Sequence, residues 1–157
     1  MRITTIITEN LIKTGLTSTS RDSMFEELLD FFCNEFPQFH RDTLLDLLHK
    51  REAKGSTNVG EGLAIPHGKA PEMDTTYGAI GISPEGIDFE DDKDPVHLIF
   101  MLFSEEDPGG IHLRVLGAIA CLMKDPDIRA RLCSAATPEE AFAIIVEGEK
   151  ALALDTD

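Results

Sequence analysis

Nowhere in the sequence does an apolar run approach the ~18 residues that a membrane-spanning helix needs, and the first residues carry no signal-peptide pattern. Cysteine is scarce. Cys33, Cys121 and Cys133 are odd in number, sit among apolar neighbours and form no C-x-x-C. They read as reduced core thiols of a cytoplasmic protein, which excludes a disulfide scaffold and a zinc-thiolate site. Basic residues are also few. The 14 Lys and Arg face 29 Asp and Glu, a formal charge of −15, which argues against nucleic acid and anionic membrane as partners. A basic protein surface is the natural complement, although the charge also serves solubility alone. H-x-H, H-E-x-x-H and G-x-S-x-G are all absent, so zinc-protease and serine-hydrolase chemistry has no support. Gly55 to Gly60 has the gap of a phosphate-binding P-loop, yet Glu61 and Gly62 stand where Lys and Ser/Thr are required. No metal and no cofactor is implied, and there is no internal repeat.

What is present is ordinary for a globular domain: 42% hydrophobic and 27% charged residues in 157, enough to bury a core. We expect one domain over residues 1–150 and a flexible tail over 151–157. Leu11 to Leu16 suggests a first strand. From Ser20, Met24/Phe25, Leu28/Leu29, Phe31/Phe32 and Phe36 keep a helical period that Pro37 ends, with Ser20 and Ser23 both suitable as N-cap. A second helix from about Asp42 ends near Gly55, leaving Arg51 in or near its last turn. Leu63 to Ile65 is a short strand. Thr76 to Ile82 is another, followed by a turn at Ser83–Gly86 and an extended piece, Ile87–Phe89. Glu90 to Asp94 reads as a solvated loop. Val96 to Phe103 is nearly all apolar, as in a strand buried on both faces, and pairs antiparallel with Tyr77 to Ile82. Helices follow after Gly110, at Asp125-Pro126 and at Thr137-Pro138-Glu139-Glu140, where a cap, a first-turn proline and a capping-box glutamate coincide. The fold class is α/β (α+β), a three-layer α/β/α sandwich whose mixed parallel/antiparallel sheet has four to five strands.

The stretch from Arg51 to Gly68 carries the chemistry. It leaves a helix, crosses a Gly/Ser/Thr-rich loop, enters Leu63-Ala64-Ile65 and stops at Pro66, which removes a backbone donor. His67 follows, backed by Gly68, which we read as a sharp turn that leaves the imidazole unshielded. A neutral imidazole nitrogen is a good nucleophile near pH 7 and leaves readily as a phosphoramidate, so a phosphohistidine is a relay. Arg51 offers a planar fork for phosphate, and the hydroxyls of Ser56 and Thr57 offer neutral donors. Of the other histidines, His40 and His49 read as surface residues and His97 as a satisfied core residue. His112 stands just inside a helix whose amides and dipole suit an anion.

Arg51-Glu52, Gly55-Ser56-Thr57 and Ala64-Ile65-Pro66-His67-Gly68 occur here in order. With the apolar strand, His112-Leu113 opening a helix, Leu116, Asp125-Pro126 and Leu132, the chain resembles the fructose/mannitol-type (type 2) IIA domain of the bacterial phosphotransferase system over residues 5–148. The resemblance implies a phosphoryl carrier: His67 as acceptor, Arg51 as its arginine, and His112 as a second active-site histidine that steadies the phosphoryl group or the ring. It implies HPr or a nitrogen-type HPr paralogue as donor, through a basic docking surface. Within these residues there is neither a permease segment nor a cysteine-phosphorylated sugar domain. We therefore expect a nitrogen-type regulatory IIA acting on targets such as a transporter or sensor kinase. The alternatives are a sugar-specific IIA that serves a separate IIB domain, or a binding module without phosphotransfer. Two features depart from the family's habit: Asn58 after Thr57, and the acidic stretches Glu90–Asp94 and Glu105–Asp107, which we expect at the rim of the site.

Overall fold

The computed structural model describes residues 2–105 and 111–156, and for 111, 112 and 154–156 the backbone only. A 3-10 turn at Ile3–Thr5 and another at Glu9–Leu11 precede a two-residue strand β1 (Ile12–Lys13), shorter than the segment expected from Leu11 to Leu16. Helix α1 (Arg21–Glu35) starts at Ser20, whose hydroxyl accepts from the Ser23 amide, which settles the choice of N-cap. Helix α2 (Arg41–Ala53) is capped by a histidine: His40 Nδ1 accepts from the Thr43 amide at 3.3 Å.

Strands β2 (Asn58–Gly60), β3 (Leu63–Ala64), β4 (His67–Lys69), β5 (Tyr77–Ile87) and β6 (Val96–Ser104) complete one sheet with β1. Its path is β1-β5-β6-β3-β2, with β4 also on β6, so six strands replace the four to five expected. The pairing is mixed: β5 and β6 run antiparallel, whereas β1 on β5 and both β3 and β4 on β6 are parallel. The expected turn at Ser83–Gly86 is instead a bulge inside β5, where the register with β6 shifts between Ile82 and Ile87. Gly86 takes a φ of +95°, and its amide donates to Ser83 Oγ at 3.0 Å, which closes the irregularity locally.

Helices α3 (Ile111–Leu122), α4 (Pro126–Cys133) and α5 (Pro138–Thr156) follow. Asp125 caps α4, and Thr137 Oγ1 with the Glu140 carboxylate closes the start of α5, as the capping signatures indicated. Where the sequence suggests a tail from 151, α5 continues to Thr156.

β6 divides the core. Leu98, Phe100 and Leu102 face α3, α4 and α5, while Ile99, Met101 and Phe103 face α1 and α2. Alternate residues of one strand serve two apolar layers, which is why Val96 to Phe103 contains almost nothing polar. Its one polar member, His97, is half-buried, and its Nδ1 donates to the Ser83 carbonyl at 2.8 Å. The cysteines depart from their expected burial. Cys121 is exposed on α3 and the other two are half-buried, because each lies on a helix flank beside the core stripe. Among the described residues no helix is long and apolar enough to cross a membrane.

Candidate functional site

Three chain segments converge around His67: the C-terminal turn of α2, the loop 54–57 and the joint between β3 and β4. The joint exists because Pro66 has no amide hydrogen, so β3 stops before it. Its carbonyl still accepts from the Leu102 amide at 2.9 Å, and β4 resumes on β6 with His67 opposite Leu102. His67 is therefore the first residue of a strand. Gly68 is not a turn residue, since it lies buried in β4 and has no positive φ. A Cβ there would come within 3.1 Å of Leu47 Cβ on α2, so the glycine admits close approach of the helix that carries Arg51.

Ile65 fixes the imidazole. Its amide donates to the Thr57 carbonyl at 3.0 Å, and its own carbonyl lies 2.8 Å from His67 Nδ1. A carbonyl only accepts, so Nδ1 carries the hydrogen and Nε2 holds a lone pair. Arg51 Nε donates toward that Nε2 at 3.3 Å, and its Nη1 donates to the Gly55 carbonyl at 2.8 Å. Burial is the largest influence on His67 and holds its pKa below the ordinary histidine value. The Ile65 carbonyl opposes that shift, the Arg51 cation adds to it, and the Glu52 carboxylate opposes it. The ring is thus neutral near pH 7, as a nucleophile must be.

Glu52 is the residue that sequence reasoning passed over. An acidic side chain in the last turn of a helix opposes the macrodipole, so its presence there signals a specific partner. The partner is Thr57, whose amide and hydroxyl donate to the two carboxylate oxygens at 2.9 and 2.6 Å in a buried setting. The Thr57 hydroxyl, expected to serve an anion, donates to Glu52 in this structure. Ser56 is engaged likewise, donating to Asp91 Oδ2 at 2.9 Å. Asn58 is buried and donates through Nδ2 to Asp91 Oδ1 at 3.3 Å and to the Asp94 carbonyl at 3.4 Å. The acidic run is therefore more than a solvated rim.

His112 is the second residue of α3, but its side chain lies outside the described residues, as do residues 106–110, which hold most of the acidic stretch 105–107. His49 is half-buried against Phe25, with ring centroids 5.5 Å apart, and belongs to the core edge. Among the described residues no group of three or more His, Cys, Asp or Glu is placed to hold a metal ion.

Comparison with known proteins identifies the family. Residues 5–148 match the family described as "Phosphoenolpyruvate-dependent sugar phosphotransferase system, EIIA 2". A nitrogen regulatory protein of Bradyrhizobium diazoefficiens is 33% identical over 146 residues, 92% of this chain and 95% of that one. A fructose-specific EIIABC component of Bacillus subtilis is 30% identical over 151 residues, which is 96% of this chain but only 24% of that longer protein. The crystal structure of nitrogen regulatory protein IIA-Ntr from Neisseria meningitidis superposes with a TM-score of 0.82 at 32% identity, covering 91% of this chain and 98% of the other. Fold and sequence are thus shared with these proteins over nearly the whole chain: the chain belongs to the EIIA 2 family of the phosphoenolpyruvate-dependent sugar phosphotransferase system.

Proposed function

We propose that the protein is a phosphohistidine carrier that accepts a phosphoryl group on Nε2 of His67 from HPr or an HPr-like protein. The observation that carries this reading is the orientation of the ring: Nδ1 is engaged by the Ile65 carbonyl, leaving the Nε2 lone pair beside Arg51. The Nε2 lone pair attacks phosphorus in line, the N–P bond of the donor's phosphohistidine breaks, and the donor imidazole keeps that electron pair. As the new bond forms, His67 becomes cationic, and the hydrogen bond from Nδ1 to Ile65 stabilises that charge. The Arg51 guanidinium parts from Nε2 and engages the phosphoryl oxygens. His112 supplies a further hydrogen bond to those oxygens or to the ring, a role taken from the family resemblance. The formal charge of −15 favours encounter with a donor that presents a basic surface.

Within the family, similarity across nearly the whole of the Bradyrhizobium nitrogen regulatory protein supports a regulatory role, in which the phosphorylation state of His67 controls other proteins. The fructose-specific EIIABC relative supports a second reading, transfer onward to a IIB domain. Incubation with phosphorylated HPr followed by intact-mass measurement tests the core of the proposal. We expect an acid-labile phosphate that is absent in His67→Ala and is acquired more slowly in His112→Ala. No labelling by any HPr-like donor would overturn the carrier reading. Efficient onward transfer to a sugar IIB domain would decide for the second reading over the regulatory one.

A further inference from the structure

Two of the departures from the family's sequence habit, Asn58 and the stretch Glu90–Asp94, touch one another. Asp91, in the β5–β6 loop, accepts from the Ser56 hydroxyl at 2.9 Å, from Asn58 Nδ2 at 3.3 Å and from the Lys93 amide at 3.1 Å. The Lys93 ammonium donates in turn to the Asn58 carbonyl, and the Asn58 amide donates to Ser56 Oγ at 3.1 Å. A carboxylate some 35 residues away in sequence thus clasps the segment that begins at Ser56.

Ser56 adjoins Gly55, whose carbonyl accepts from Arg51 Nη1. Gly55 has a φ of +152°, a conformation that L side chains rarely adopt, and nothing lies within 4 Å of the position a Cβ would take. Its amide is held by the Glu52 carbonyl at 3.1 Å. The direction of its own carbonyl depends on where Ser56 is fixed. Contacts then run without a gap from Asp91 through Ser56 and the Gly55 carbonyl to Arg51, and from Arg51 to His67 Nε2.

We propose that Asp91 is a positioning residue for Arg51: by clasping Ser56 and Asn58 it aims the Gly55 carbonyl that holds the guanidinium against His67. The kinetic consequence rests on the phosphocarrier reading, whereas the effect on the imidazole does not. Releasing the clasp lets the guanidinium leave the ring, and one of the influences that keep His67 neutral goes with it.

The sign of the resulting titration shift separates positioning from simple charge. Deleting an anion, with nothing else moved, lowers the pKa of a nearby imidazole. Deleting an anion that holds Arg51 in place raises it. The experiment titrates the His67 ring nitrogens of the unphosphorylated protein by NMR in wild type, Asp91→Ala, Ser56→Ala and Asp92→Ala. Asp92 is an exposed neighbour of the same charge and has no bond to the loop among the described residues. We expect the His67 pKa to rise in Asp91→Ala and in Ser56→Ala, to stay or fall in Asp92→Ala, and not to respond to Asp91→Ala when Arg51 is already alanine. In transfer from a phosphorylated HPr-type protein, Asp91→Ala should lower the rate at saturating donor by about fivefold with KM little changed. Asp91→Asn, which keeps an acceptor, should fall between. A fall in the His67 pKa in Asp91→Ala, or equal effects of Asp91→Ala and Asp92→Ala, overturns the proposal. If the wild type takes no phosphoryl group, the carrier reading fails and the titration still decides the role of Asp91.

Discussion

Arg51 Nε and His67 Nε2 lie 3.3 Å apart, with the donor hydrogen on the arginine and the lone pair on the histidine. On the proposed carrier reading, the nitrogen that bonds phosphorus is the one the guanidinium already covers. A phosphoryl group must part the two, which leaves a planar cation at the site of the incoming oxygens. Positioning and charge neutralisation are the main levers in such a transfer.

Arg51→Ala should therefore slow phosphoryl transfer by on the order of 100-fold while leaving the thermal midpoint almost unchanged, since the side chain serves the site and not the core. Stopped-flow transfer kinetics beside thermal denaturation check both halves. An unfolded variant would show that the guanidinium's bond to the Gly55 carbonyl is structural.

The position of the modification follows from the tautomer. Phosphorus–nitrogen coupling in the phosphorylated protein should place the group on Nε2, with Nδ1 still protonated toward the Ile65 carbonyl. Phosphorylation at Nδ1 would require the loss of that bond and would refute the assignment.

The lowered pKa of His67 sets two pH dependences. An ordinary histidine is half protonated at about pH 6.5. Here the ring stays neutral below that, so the rate of labelling should be level from pH 8 down through about 6.5 and decline only beneath it. For folding, the unfolded chain takes up a proton near pH 6.5 before the folded one does, so stability rises with pH through that window. It is lost as the pH falls from about 6.5 toward the lower folded value. Denaturant titrations of wild type and His67→Gln over pH 5–8 should differ in slope there, the variant being flatter.

Glu52 is expected to govern the loop. Removing its carboxylate leaves the buried Thr57 amide without an acceptor, so Glu52→Ala should cost about 1–3 kcal/mol. Thr57→Val, which removes only the hydroxyl contact, should cost about 1 kcal/mol. Urea unfolding measures both. Equal stability of wild type and Glu52→Ala would show that water takes over the bond.

Gly68→Ala tests the close approach of β4 and α2. Its methyl group would stand 3.1 Å from Leu47 Cβ, so the helix must shift by a few tenths of an ångström. A loss of about 1–3 kcal/mol is expected, as for other overpacked cores, together with slower transfer because Arg51 rides on the displaced helix. Unchanged kinetics with reduced stability would separate packing from function.

The amino-acid sequence alone determined which segments are helix or strand wherever signals were local. Ser20 and Asp125 begin helices because a hydroxyl or carboxylate reaches the next free amides, and Val96 to Phe103 is buried on both faces because no alternation interrupts it. It also marked His67, since proline followed by histidine and glycine ends one strand and sets a ring at the start of the next. The resemblance that led to the family rested on those same residues. Tertiary structure decided the rest, because the decisive bonds join residues far apart in the chain. Asp91 meets Ser56, and Leu47 meets Gly68, only once β4 and the β5–β6 loop are set against α2 and its following loop. The tautomer of His67 likewise depends on a carbonyl aimed by the β3–β4 joint, whose direction comes from pairing with β6. Local propensity carries no information about such pairings, because their free energy comes from groups that meet only after the chain has closed its loops.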